Sequence, residues 1–429
     1  MSTDMSTTDL DKVSFFSPEV LCDPYPLLER LRRERPVARF HQPGFDRALY
    51  VVTTHALVEQ VFRDQKRFSS NFMELLTGGG KGDPEATRIA ATTWPEVNTL
   101  LTADEPDHTR LRSLAAKGFM PNRIKRMVEL LGRIITGLID AFIERGECDF
   151  LREFAAPMPI HSIGAVMGIP AAYHGKLYDW TFALMRRNGQ MGTPAEQVAD
   201  ARQIVELKEF VRELVRERAS NPKDDLLSDL VTARVDGVSP FTELETLSTA
   251  LMLIVGGAET TRSTLISALA RLMQTPDQLE LVRNDPALVP KAIEETLRMD
   301  TPGTALWRIA NHDTELGGVS IPQGSIIMMR MDSANRDSSV FQNPDTFDIL
   351  RPDLGKHLSL GMGIHYCIGF RLAREQATQS VTQLLARLPD VRIIADKSDL
   401  RAHPSVHTRC LRELHLAFTP GKRLLNQAA

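Results

Sequence analysis

Gly361-Met362-Gly363-Ile364-His365-Tyr366-Cys367-Ile368-Gly369 packs three glycines around one cysteine, and the helical pattern Phe370 to Leu388 follows at once. Glycines let a backbone turn sharply and approach a flat ligand closely. A thiol just before a helix N-terminus is pushed toward thiolate by the positive end of the helix dipole. Cys367 therefore reads as a nucleophile or a metal ligand, against the bland alternative of an inert buried cysteine, the commoner fate of an isolated one. A hydrolase using Cys367 with His365 as base is a third reading, but two residues two apart on a tight loop need not meet.

Upstream lies the strongest helix signal. Thr242 to Gln274 opens with a capping-box pattern, Thr242 with Glu245, and stops at Thr275-Pro276, and at ~1.5 Å per residue it spans roughly 50 Å. Its centre is Gly256-Gly257-Ala258-Glu259-Thr260-Thr261. Two mid-helix glycines cost ~1 kcal/mol each relative to alanine, so function is expected where the helix breaks its own rule, with a ligand against the backbone or a helix that opens. Thr260 lies four residues after Gly256 and can bond that carbonyl or hold a water there, which makes a proton relay. The alternative is a Glu259–Arg262 pair along a solvated face.

The run His357-Leu358-Ser359-Leu360-Gly361 through Gly369 resembles the cysteine-ligand loop of cytochrome P450, with Leu360 where that family usually has Phe. Gly-Gly-Ala-Glu-Thr-Thr is similar to the same family's oxygen-activation motif. The resemblance implies a haem-thiolate monooxygenase: Cys367 as axial ligand of haem b, Gly256 and Gly257 against the haem, and Glu259 and Thr260 managing protons on its distal side with O2 as co-substrate. It implies that His108, Arg112, Arg308 and His365 contact the haem propionates, and that Glu295 and Arg298 form a network with Arg351. The implied fold is mostly α with a smaller β-rich region, a triangular prism of helices around the haem.

By the same resemblance, the substrate-facing segments are about Phe68 to Leu100, Met185 to Met191, Leu253 to Ala258 and Thr304 to Leu306, holding Phe72, Met73, Trp94, Met185, Met191 and Leu253. Most are apolar, so a steroid, terpenoid, fatty acid or aromatic is expected as substrate. Electrons would come from NAD(P)H through a ferredoxin reductase and a ferredoxin, docked on Arg110, Lys117, Arg371 and Arg374. The rival readings are a peroxide-using haem-thiolate enzyme and a haem-binding sensor or carrier without turnover. Neither requires the Glu259-Thr260 pair.

The rest of the chain fits an ordinary globular enzyme of 429 residues, 42% hydrophobic and 25% charged. A formal net charge of -4 gives no global attraction to nucleic acid or to an anionic membrane. The N-terminal residues lack a secretory layout, and no apolar run approaches the ~20 residues of a membrane span. Cys22, Cys148, Cys367 and Cys410 show no paired metal spacing, so a reducing cytoplasm is expected; a monomer is expected as well, though no motif reads it. Pro36 to Phe40 and Leu49 to Thr53 read as a hairpin, Arg123 to Gln274 as packed helices broken at Pro170, Pro194, Pro222 and Pro240, and Leu411 to Phe418 as one alternating strand. The expected organisation is a polar segment over 1–22, one α+β domain over 23–420 and a tail over 421–429.

Overall fold

The computed structural model describes residues 9–10, 13–41, 47–77, 82–188 and 192–425. Helices dominate, and short strands come from both ends of the chain. In chain order, the elements that carry the site are β1 (Val37–Phe40), β2 (Leu49–Val52), α1 (His55–Arg63), β3 (Phe68–Ser69), α2 (Asp107–Ala115), α3 (Glu243–Gln274), α4 (Val289–Met299), β4 (Ala305–Ala310), β5 (Ile326–Arg330) and α5 (Phe370–Arg387). Among the described residues, no helix is long and apolar enough to cross a membrane.

The chain forms two units, one of residues 1–69, 131–155 and 260–429, the other of residues 70–130 and 156–259. The first holds a five-stranded sheet in the order β1-β2-β5-β4-β3. β1 and β2 form the expected antiparallel hairpin, with Val37 opposite Val52. β2 then pairs in parallel with β5, and β5 runs antiparallel to β4. Val51, Val52, Ile327, Met328 and Met329 are all buried, and such continuous apolar runs belong at the centre of a sheet covered on both faces. One face packs against Val58, Val61 and Phe62 of α1 and against Leu358, with Met362 at the margin. Leu306 and Ala310 of β4 join that cluster. Because strand side chains alternate, Arg308 between them points to the same face.

The expected single strand over Leu411 to Phe418 is two strands. Leu411–Glu413 pairs with Asp399–Ala402, and His415–Ala417 pairs with Glu147–Asp149 and Arg392–Ile393 in another sheet. Leu414, Leu416 and Phe418 are buried throughout. The period of two marks the buried face correctly but carries no information about a change of partner.

In the second unit, helices Pro157–Val166, His174–Asn188, Pro194–Ser220 and Leu226–Thr232 accompany α2. Pro194 opens its helix behind a capping box of Thr193 and Glu196, as a residue without an N–H should. The capping box of α3 also forms. Glu245 N donates to Thr242 Oγ1 at 3.2 Å, and Thr242 N donates to Glu245 Oε2 at 2.8 Å. α3 then runs 32 residues without interruption.

Candidate active site

The cysteine loop is built by backbone geometry. Gly361 and Gly363 adopt φ of +70° and +67°, a region that costs any residue with a Cβ roughly 1–2 kcal/mol. A Cβ on Gly363 would also stand 3.4 Å from the Phe62 carbonyl oxygen. Gly361 N donates to Leu358 O at 2.9 Å, Tyr366 N to Gly363 O at 3.2 Å, and Cys367 N to Leu360 O at 2.9 Å. These bonds fold the loop back on itself and deliver Cys367, half-buried, two residues before the N-cap Gly369 of α5. The helix-terminus argument for a thiolate therefore has its geometry.

The loop is anchored to α4. Glu295 and Arg298, both fully buried, meet in a two-pronged pair with both contacts at 2.8 Å, and Arg351 Nε reaches both Glu295 oxygens at 3.0 Å. Arg298 Nη1 also donates to the carbonyls of Asn335 and Pro344 at 2.9 and 2.8 Å. Asn335 in turn accepts from Leu358 N at 2.7 Å and donates to Ser359 Oγ at 2.8 Å. The path from ion triad to Asn335 to the first residues of the loop is thus continuous hydrogen bonding. Beside it, Glu294 receives Arg374 at 2.6 and 2.8 Å and His357 at 3.0 Å. Burial alone would raise the Glu294 carboxyl, but the hydrogen bonds from Arg374 and His357 outweigh it and hold the carboxyl at about 2.

Each unit also presents cations. In the first, Arg308 is 1% exposed, with Nη1 donating to the Trp307 carbonyl at 2.8 Å and its guanidinium 5.6 Å from the Phe62 ring centroid. Phe62 thus sits against both Arg308 and the loop glycines. His365 ends the 3-10 turn Gly363–His365 and is half-buried. In the second unit, His108 and Arg112 stand one turn apart on α2, on one face. His108 is 1% exposed, with Nδ1 3.6 Å from Glu105 Oε1.

On α3, Glu259 and Arg262 are both buried, which removes the solvated-face alternative for this pair. Gly257 is closely packed, since a Cβ there would lie 3.2 Å from Ile163 Cδ1, which would have to shift slightly. Gly256 is not, because a Cβ there would meet nothing within 4 Å. Thr260 is half-buried, and its carbonyl accepts from Thr264 Oγ1 at 2.8 Å.

Several expectations resolve differently from one another. Trp94 and Phe72 are buried, and Trp94 donates to the Lys208 carbonyl at 3.0 Å beneath the Lys208 ammonium, so Trp94 belongs to the packing of its own unit. Thr304 is buried and donates to Val406 O at 2.8 Å. Met191 lies outside the described residues. Of the four basic residues expected to form a docking patch, Arg110 pairs with Glu245 and Arg374 with Glu294, while Lys117 and Arg371 are exposed. A cavity of about 470 Å³ in the second unit has a mixed lining, with Asp104, Glu105, Asp107 and Glu245 beside Val97, Ala103, Leu111 and Leu244. Phe62, Asn335 and Glu294 were not visible as site residues in the sequence. Phe62 looks like any core position of an amphipathic helix, and Asn335 like any loop polar residue.

The cytochrome P450 family model matches residues 177–389. Cytochrome P450 107B1 of Saccharopolyspora erythraea is 36% identical over 89% of this chain and 92% of its own. Steroid C26-monooxygenase of Mycobacterium tuberculosis is 33% identical over 85% of this chain and 99% of its own. The solved structure of cytochrome P450 CREJ in complex with (4-ethylphenyl) dihydrogen phosphate is 27% identical and superposes with a TM-score of 0.88 over 95% of this chain and all of that one. This chain belongs to the cytochrome P450 family, and it is an oxygenating oxidoreductase that uses haem and O2. Its residues fit that cofactor. A thiol at a helix terminus suits iron, and within the same unit buried Arg308 is a cation that a carboxylate would neutralise.

Proposed function

We propose that this chain is a haem b monooxygenase of the cytoplasm that inserts one oxygen atom from O2 into a hydrophobic small molecule, with electrons from NAD(P)H through a ferredoxin reductase and a ferredoxin. The observation that carries the reading is the cysteine loop, whose left-handed glycines and Cys367 N to Leu360 O bond present one thiol at the start of α5. A steroid is the first substrate class to test, because a relative at 33% identity bears the name steroid C26-monooxygenase.

Bound haem b would supply O2 activation and oxygen transfer. Cys367 would ligate the iron, and the Glu295–Arg298–Arg351 network would hold its loop at the required depth. His108, Arg112, Arg308 and His365 would bind the propionates, and Gly256 and Gly257 would let the backbone of α3 come close. Buried Glu259 would hold a proton near Thr260, and the Thr260 hydroxyl would pass protons on.

The test is the absorption spectrum of the reduced protein under carbon monoxide, followed by a steroid, terpenoid and fatty-acid screen for spin-state shifts. A far red-shifted Soret band, lost in Cys367→Ala, is the expected result. A band typical of histidine ligation would overturn the ligand assignment.

A further inference from the structure

Several threonine hydroxyls in this protein return to their own helix. On α3 and α4, Thr246 donates to Thr242 O at 3.0 Å, Thr264 to Thr260 O at 2.8 Å and Thr296 to Ala292 O at 2.8 Å. Thr249, Ser263 and Ser267 of α3 do otherwise, and the two serines lie on the Thr260 side, in the same unit. Ser263 and Ser267 are 0% and 2% exposed, and neither Oγ has a hydrogen-bond partner among the described atoms. Around them Leu265, Ile266 and Leu269 are fully buried. A buried hydroxyl without a partner is destabilising and rare, and the usual remedy is an ordered water.

The two serines are placed in line. At 3.6 residues per turn, Thr260, Ser263, Ser267 and Arg271 fall within about 80° of one another on the same side of α3. Successive members are separated by about 5–6 Å between Cβ atoms, which two hydrogen bonds of about 2.8 Å through one water span. The row ends at Arg271, whose side chain is one-quarter exposed and pairs with Asp300 at 2.5 and 2.9 Å. It therefore starts at the half-buried Thr260 and finishes near solvent, entirely within the first unit.

We propose that Ser263 and Ser267 hold a file of ordered water along α3 that carries protons from the Arg271 end toward Thr260. The inference rests on the relay role proposed for Thr260. Turnover inserts one oxygen atom of O2 and reduces the other to water, consuming two protons and the two electrons that NAD(P)H supplies. Along the file each oxygen accepts a proton from the solvent side and gives its own to the next, so both serines are unchanged afterwards. They are positioning residues, since they touch water and not substrate.

The experiment is a high-resolution crystal structure of the haem-loaded protein together with the Ser263→Ala/Ser267→Ala double variant. Water density within hydrogen-bonding distance of both Oγ atoms supports the file. Hydroxyls turned onto their own helix carbonyls, or a dry cavity, would overturn it. In the double variant the carbon monoxide band should be unchanged, peroxide released per NAD(P)H should rise several-fold, and the solvent deuterium isotope effect on product formation should increase. Coupling and isotope effect equal to the parent's would sink the proton role. A raised thermal midpoint would show that the hydroxyls were dry and sink the water file as well. Failure of the haem-thiolate reading is distinguishable, because it would appear in the parent protein's own carbon monoxide spectrum.

Discussion

The cysteine loop and the middle of the long helix carry the two halves of the proposed chemistry, and they are built in opposite ways. In the loop, the backbone of Gly361, Tyr366 and Cys367 is bonded, Leu358 and Ser359 are held by Asn335, and Asn335 is tied to a fully buried ion triad. In the helix, Gly256 leaves its side open, and the buried hydroxyls of Ser263 and Ser267 have no hydrogen-bond partner among the described atoms. A metal ligand must be held at one distance, whereas a site that admits a small reactant and moves protons needs space and water. Rigidity and incompleteness are each functional, in different places.

The comparison can be broken most sharply at Cys367. Replacing it with Ala should abolish the thiolate signature and all oxygen insertion, while circular dichroism stays that of a folded helical protein. Retention of the red-shifted band would remove the loop from the chemistry. Next in size is Glu295→Gln, which leaves Arg298 and Arg351 without their shared carboxylate. Breaking a buried pair costs about 3–5 kcal/mol, and urea unfolding should show a loss of that order together with weaker haem retention. A loss under about 1 kcal/mol would mean that solvated surface pairing, not a buried anchor, describes the triad.

Thr260→Ala should keep haem and stability but divert electrons to peroxide, lowering product per NAD(P)H by up to roughly 10²-fold, the lower end of what a positioned proton donor contributes. Unchanged coupling would remove Thr260 from the relay. The smallest effect is expected from Gly256→Ala. Since the added Cβ meets nothing within 4 Å, haem-free protein should gain up to about 1 kcal/mol by helix propensity, while haem affinity falls. A variant that is more stable and binds haem as well would show that the open side of Gly256 has no use.

Legibility differed between the same two regions. The glycine-flanked cysteine and the helix from its capping box to Thr275-Pro276 depend on residues whose spacing announces their geometry, the Glu295–Arg298–Arg351 network was implied by the family resemblance, and all three stand in the structure. The ion pairs of the basic residues were not legible, because a lysine or arginine in a sequence does not reveal whether a carboxylate from a distant segment has claimed it, as Glu294 claims Arg374 and Glu245 claims Arg110. Trp94 makes the same point: an aromatic residue in a sequence does not reveal that it packs beneath Lys208.

What the sequence by itself determined is therefore local: which cysteine stands in a glycine turn at a helix start, where the long helix begins and ends, and where it breaks its own rules. These are short-range properties, set by backbone sterics, helix caps and spacing within a few residues. Only the tertiary structure decided that Asn335 links the ion triad to the loop, that Phe62 lies against both the loop glycines and Arg308, that the last strand divides between two sheets, and that Ser263 and Ser267 are buried without a partner. Each depends on contacts between segments far apart in the chain, which packing creates and which spacing along the sequence does not encode.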